Sequence, residues 1–170
     1  MLVAWMMLHT APAVAHEGDV RHTVMDLLND HEHSPTDADL VALGDGARDE
    51  LLAIAVDPEV PKSRRGRAIS ALGAWPVPAV KSVLTTQLAA DDPYLKRKAV
   101  LSFSRAFPED AVTTVSPFLT STDVQLRLAT VHALEGLPSK DVEGVFRTHL
   151  QQEDNDTVKA ALHKALGEAR

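Results

Sequence analysis

Four histidines in an acidic N-terminal stretch are the residues with the most obvious potential for metal chemistry. His16, His22, His31 and His33 lie among five Asp and Glu residues between positions 16 and 33. A His-x-His pair beside carboxylates offers ligands that zinc and copper accept. The spacing lacks the regularity of an H-E-x-x-H helix, however, and a solvated polar segment has the same composition. We therefore predict no metal site and no bound cofactor.

The sequence also lacks the groups that covalent catalysis needs. Cysteine is absent, so thiol nucleophiles, thiolate metal sites and disulfides are excluded. No G-x-S-x-G or S-x-x-K motif occurs, and the Gly44-Asp45-Gly46 tripeptide is too short for a phosphate-binding G-x-G-x-x-G loop. The Asp91-Asp92 pair lies at a predicted helix start, where capping explains it. We predict no catalytic residues and do not interpret the protein as an enzyme.

Charge is distributed unevenly along the chain. The net charge of −7 over 170 residues is unfavourable for nucleic-acid binding. Residues 1–60 contain twelve acidic and two basic residues, whereas residues 61–110 contain nine basic and four acidic residues. Six of those nine bases form two clusters, at residues 64–67 and 96–98. Such clusters indicate either a solvated face or a patch that accepts an anionic partner.

The first fifteen residues have the anatomy of a secretory signal. An apolar run from Leu2 to Leu8 precedes Ala13-Val14-Ala15, a small-residue cleavage pattern just before His16. The run is too short to cross a bilayer, and no later segment approaches the length of a membrane span. Because no Lys or Arg precedes the run, two alternatives stay open: a start further upstream, or a buried N-terminal helix of a cytoplasmic protein. We expect residues 1–15 to be a signal peptide of an exported protein, periplasmic or extracellular.

The rest of the chain repeats a unit of about thirty residues. The tripeptide Ala71-Leu72-Gly73 has counterparts at residues 102–104, 133–135 and 165–167, at intervals of 31, 31 and 32 residues. Before each counterpart, an acidic or amide residue precedes a cation by four positions. Further upstream, apolar residues at i, i+4 and i+8 mark one face of a helix in each unit: Val80, Leu84 and Leu88; Ala111, Val115 and Leu119; Val142, Phe146 and Leu150. Each unit is therefore predicted to be a helical hairpin.

The predicted helices follow from these faces and from the residues that delimit them. They cover residues 46–56 and 62–74, 78–90 and 93–106, 109–120 and 123–134, and 140–151 and 156–169. Asp92, Asp123 and Asn155 are residue types that cap helix N-termini. Pro117 lies inside a predicted helix and predicts a kink there. Since no segment alternates like a β-strand, we predict an all-α fold, with a degenerate capping hairpin at residues 19–44.

The pattern D-x-x-Φ-(R/K)-x-x-A-x-x-A-L-G after an amphipathic helix resembles the HEAT repeat. Its short period is most similar to the HEAT-like repeats of phycobilisome lyases. The resemblance covers about residues 40–170. It implies an α-solenoid of about four hairpins plus a degenerate N-terminal capping hairpin, divided into an acidic, His-containing arm at 16–38 and a repeat domain at 39–170. It also implies a ladder of contacts between repeats, formed by Arg65, Asp92, Lys96, Asp123, Arg127, Asn155 and Lys159. Pro61 departs from this pattern, because it stands where the first unit should have its acid.

The resemblance further implies that the second helix of each hairpin lines a concave face. Both basic clusters lie on such helices, and we expect Arg64, Arg67, Arg97 and Lys98 to form a partner-binding patch there. The favoured function is a non-enzymatic scaffold or adaptor that binds another, acidic protein. One alternative is an accessory protein of the chromophore-lyase type, which only the resemblance implies. A second alternative is a nucleic-acid-binding HEAT-like protein, but the net charge disfavours it and we expect no nucleic-acid partner.

Overall fold

In the computed structural model, residues 17–29, 35–137 and 140–168 are described, and this part of the chain is helical without any strand. The all-α prediction is therefore confirmed. The first half contains α1 (Glu17–Asn29), α2 (Asp37–Ala42), α3 (Gly44–Val56), α4 (Lys62–Leu72) and α5 (Pro78–Ala89). The second half contains α6 (Pro93–Ala106), α7 (Pro108–Val115), a 3-10 helix (Ser116–Thr120), α8 (Val124–Leu134), α9 (Lys140–Leu150) and α10 (Asp156–Ala165). The predicted signal peptide lies outside the described residues.

Three polar side chains begin the helices for which the sequence predicts them. Asp92, Asp123 and Asn155 precede α6, α8 and α10, and each accepts hydrogen bonds of 2.8–3.2 Å from backbone N–H groups of the first turn. These donors have no partner within the helix itself, so the caps satisfy groups that would otherwise need water. The repeated acidic or amide position therefore has a local structural role at each of these helix starts.

The chain departs from α-helical geometry at Pro117, where the sequence predicts a kink within one helix at 109–120. The α-helix α7 ends at Val115, and the chain continues as the 3-10 helix over Ser116–Thr120. Proline has no N–H to donate, and its ring would clash with the carbonyl of Thr113, four residues earlier. The tighter 3-10 turn keeps the chain helical while removing that clash.

The helices pack largely in chain order. Helix α3 packs against α4, α5 against α6, the 3-10 helix against α8, and α9 against α10. In addition, α4 contacts α6, α6 contacts α8, and α8 contacts α10, so these four helices form a continuous row. Helix α1 lies against α3 and α4, and α2 lies against α3. The apolar core lies between these helices. Its almost completely buried side chains include Leu51, Ile54, Ile69, Leu72, Leu84, Phe103, Leu134, Phe146 and Leu162.

None of the helices in the described ranges is long and apolar enough to cross a membrane.

Two glycines in and after α4 allow side chains of α6 to lie directly on its surface. A Cβ atom on Gly66 would overlap the Tyr94 ring, and a Cβ atom on Gly73 would lie 2.6 Å from Nη2 of Arg105. The two glycines are seven residues apart and so share one face of the helix. Tyr94 and Arg105 therefore occupy space that side chains of α4 would otherwise fill.

This close approach predicts different outcomes for two Gly→Ala substitutions within helices. Alanine in a helix interior is more stable than glycine by roughly 0.5–1 kcal/mol, because it restricts the unfolded chain. Gly144 of α9 has no atom within 4 Å of an added Cβ, so Gly144→Ala is expected to show this gain in urea unfolding. Gly66→Ala is expected not to show this gain in stability, because the Tyr94 ring must move to make room for the added Cβ atom. Equal stabilisation by both substitutions would contradict the contact at Gly66.

Candidate binding groove

The four residues that the sequence assigns to a partner-binding patch have different contacts in the structure. Arg64 donates from Nε to Oδ1 of Asn29 on α1, at 3.0 Å. Arg97 is half-buried and forms an ion pair with Asp123, with 2.9 Å between Nη1 and Oδ2. Arg67 and Lys98 line a common groove. Arg64 and Arg97 thus contact neighbouring elements, and Arg67 and Lys98 border a candidate binding site.

This groove lies between α1–α2 on one side and α4 and α6 on the other. Its volume is about 550 Å³, within the range of pockets that bind ligands. The apolar residues along it are Leu27, Leu28, Pro35, Leu40 and Ala71. The polar residues are Asp37, Ser63, Arg67, Ser70, Tyr94, Lys98 and Arg105. The lining therefore combines apolar surface with three cations and one carboxylate.

Lys98 presents its charge to the groove without an ion-pair partner among the described residues. Its Nζ lies 5.7 Å from the centroid of the Tyr94 ring, which is four residues earlier on the same face of α6. The ring face attracts the ammonium group without neutralising it. The Tyr94 ring in turn lies against Gly66 of α4. The position of the Lys98 ammonium group therefore depends on α4 as well as α6.

Arg105 is the cation of the groove that our sequence analysis did not assign to the site. It is a single arginine outside both basic clusters, yet it follows Lys98 by seven residues and so shares its helix face. Its Nη2 donates to the carbonyl oxygen of Ser70, and its Nη1 lies 3.5 Å from Oδ1 of Asp37. The i, i+4, i+11 spacing of Tyr94, Lys98 and Arg105 is the sequence signal that could have indicated this face.

Two acids of the ladder implied by the resemblance do form ion pairs with cations of a preceding helix, but with other cations than the ladder includes. Asp92 lies 2.8 Å from Nζ of Lys62, which precedes it by one repeat, and Asp123 pairs with Arg97. The Lys62 ammonium lowers the pKa of Asp92 from its ordinary value. A long side chain can reach the acid of the next hairpin from more than one turn position, so the repeat alignment did not identify these cations.

Three cations assigned to the ladder have other surroundings. Arg65 donates from Nε to the carbonyl oxygen of Ala55 at 3.5 Å, within its own hairpin. Lys96 places Nζ 5.9 Å from the centroid of the Phe118 ring. Lys159 lies along a shallow depression on α10. None of these contacts joins a cation to the N-cap residue of the following repeat.

Between α8 and α10, the buried Glu153 pairs with the cation that an acid at position 155 would otherwise pair with. Arg127 makes two 2.8 Å hydrogen bonds to Glu153, from Nε and Nη2. The Glu153 side chain is only 1% exposed, and its oxygens also contact Nε2 of His149 and the backbone N–H of Asn155, each at 2.9 Å. The predicted ladder contains Arg127 but not Glu153. The neutral residue at position 155, with a glutamate two residues earlier, was the available signal.

The environment of Glu153 predicts loss of stability in acid. Burial by itself raises the pKa of Glu153, but hydrogen bonds from Arg127, the Asn155 N–H and His149 outweigh it and lower the pKa from 4.5 to about 2. A carboxyl with a lowered folded-state pKa contributes stability above its unfolded pKa and loses it as the pH falls toward the folded value. Lowering the pH from 5.5 to 3 should remove on the order of 2 kcal/mol through this group.

Urea unfolding at these two pH values would measure the effect. Glu153→Gln carries no carboxyl at this position, and we expect the difference between the two pH values to shrink accordingly. An unchanged difference in the variant would show that other carboxylates cause the acid sensitivity.

No family model matches the chain, and no curated protein matches it. Among the described residues, no three His, Asp or Glu side chains lie close enough together to hold a metal ion. His22 lies 3.3 Å from Asp26, whereas His16, His31 and His33 lie outside the described residues. The groove is therefore the feature from which a function can be inferred.

Proposed function

We propose that this protein is a non-enzymatic adaptor that binds an acidic segment of a partner protein in the groove between α1–α2 and α4–α6. We further propose that its helical hairpins form a short HEAT-like α-solenoid. The 31- and 32-residue sequence intervals and the successive contacts of α4, α6, α8 and α10 support this arrangement. In such an array each hairpin buries its apolar face against its neighbours, which leaves one continuous surface for a partner.

One observation carries the proposed function: Lys98 faces a partly apolar groove and has no carboxylate partner among the described residues. Burying an unpaired cation against apolar surface is unfavourable unless an anion joins it. A bound acidic group would supply that anion. In a protein with a net charge of −7, the described lining of this groove holds Lys98 and Arg105 beside a single carboxylate, Asp37, and this local excess of positive charge favours acidic partners.

The apolar part of the groove favours a protein segment over nucleic acid. The half-buried side chains of Leu27 and Pro35 lie along the same groove as Lys98 and Arg105. Apolar side chains of a partner protein can be buried against them while a neighbouring carboxylate meets the cations. A nucleic-acid backbone would instead have to approach Asp37 and the negative charge of the whole protein.

Charge reversal in the groove tests this function. We expect Lys98→Glu to reduce recovery of partner proteins from an extract of the native host by about tenfold, because repulsion replaces attraction. Lys159→Glu on α10 is the matched control, since it makes the same charge change on a half-buried lysine outside the groove. Quantitative mass spectrometry of the captured proteins is the measurement, and circular dichroism checks that both variants are folded. Equal recovery by the two variants would contradict the proposed site.

A further inference from the structure

The two sides of the groove require different chemistry from whatever occupies it. Leu27 of α1 and Pro35, which precedes α2, are half-buried and provide apolar surface on one side, whereas Lys98 and Arg105 of α6 provide charge on the other. A purely acidic segment would leave these two apolar side chains against water or against its own polar groups. A purely apolar segment would bury Lys98 without a counter-ion. The complementary occupant carries an acidic and an apolar side chain close together.

The contact between Asp37 and Arg105 shows where the partner's carboxylate would bind. Oδ1 of Asp37 lies 3.5 Å from Nη1 of Arg105, longer than the 2.7–2.9 Å typical of strong charge-assisted hydrogen bonds. The side chains are 49% and 46% exposed, so this pair contributes little to stability. Asp37 therefore occupies the anion position through a weak contact that another carboxylate can replace.

Arg105 has a second set of contacts that do not involve Asp37. Its Nη2 donates to the carbonyl oxygen of Ser70, and its guanidinium lies against Gly73, where any larger residue would place a Cβ. These contacts hold the guanidinium on α4 when Asp37 moves away. A donor held in place before binding loses less conformational entropy when a ligand arrives.

We propose that the groove binds a peptide segment in which acidic and apolar residues adjoin, and that the peptide's carboxylate displaces Asp37 from Arg105. This inference rests on the proposed function, because it specifies the partner segment of the same groove. Asp37 then acts as an internal competitor. It shields Arg105 in the unbound protein and weakens binding of segments that lack a well-placed carboxylate.

Fluorescence anisotropy with the full chain tests this proposal. The probe is a short labelled peptide with alternating Glu and Leu, and two control peptides replace either all Glu by Gln or all Leu by Ser. We expect the Glu-Leu peptide to bind most tightly. We expect Asp37→Asn to strengthen its binding by roughly two- to fivefold, the range that release of an exposed ion pair allows. Asp49→Asn on α3 removes the same charge outside the groove and should leave binding unchanged.

Two outcomes would overturn the inference while the proposed function stands: no gain from Asp37→Asn, or no binding of the Glu-Leu peptide to a protein that still captures its partners. Equal binding of the Gln control would contradict both the inference and the acidic segment of the proposed function. Tighter binding of a single-stranded oligonucleotide than of the Glu-Leu peptide would contradict the inference and indicate that the groove binds phosphate groups instead. Failure of the proposed function is recognised separately, by undiminished partner capture in Lys98→Glu.

Discussion

Arg127→Met is expected to lower the free energy of unfolding by about 3–5 kcal/mol, because it leaves the carboxylate of Glu153 buried without its cation. The wild-type pair is bidentate, and Arg127 also donates from Nη1 to the carbonyl oxygen of Ser121 at 2.7 Å. The substitution therefore removes a charge partner and leaves a backbone acceptor unsatisfied. Urea unfolding near pH 7 would measure the loss.

Two further variants test whether the loss in Arg127→Met comes from the buried charge of Glu153 or from removing an arginine in general. Arg147→Met removes an arginine that bonds Glu143 and Glu168 at an exposed site, and we expect a loss of at most about 1 kcal/mol. The double variant Arg127→Met, Glu153→Met should recover much of the stability that Arg127→Met loses, because a pair of apolar side chains leaves no buried charge. If Arg127→Met destabilised the protein no more than Arg147→Met, the buried pair would have no special role.

Phe103→Ala should be the most damaging truncation in the core, with an expected loss of about 3–5 kcal/mol. Phe103 is 1% exposed, and its ring centroid lies 5.3 Å from that of Phe107. It belongs to α6, which packs against α4, α5, α7 and α8, so a cavity there reaches several helices at once. Surrounding side chains held by four neighbouring helices have little freedom to collapse into the space.

Leu101→Ala provides the matched control for Phe103→Ala. Leu101 lies two residues away on the same helix but is 41% exposed, and we expect its truncation to change stability by only about 0.5 kcal/mol. Thermal unfolding of both variants by circular dichroism is the measurement. Similar losses at the two positions would show that Phe103 does not pack as tightly as the structure indicates.

The sequence by itself determined the features that depend on neighbouring residues in the chain. The i, i+4, i+8 spacing of apolar residues predicted the helices, because one helix face needs only its own periodicity to be recognised. Asp92, Asp123 and Asn155 predicted helix starts, since a cap bonds N–H groups two or three residues away. Pro117 predicted a kink, because its missing N–H acts within one turn.

Only the tertiary structure decided which side chains meet across helices. Arg105 contacts Ser70, 35 residues away, and Arg127 contacts Glu153, 26 residues away. The ladder implied by the resemblance contained Arg127 but neither Arg105 nor Glu153. It contained Lys96, whereas Arg97 forms the ion pair with Asp123, because long side chains at adjacent positions can both extend toward the next helix. The choice depends on how closely the helices pack, and between α4 and α6 that is decided by Gly66 and Gly73, whose missing Cβ atoms let Tyr94 and Arg105 line the groove.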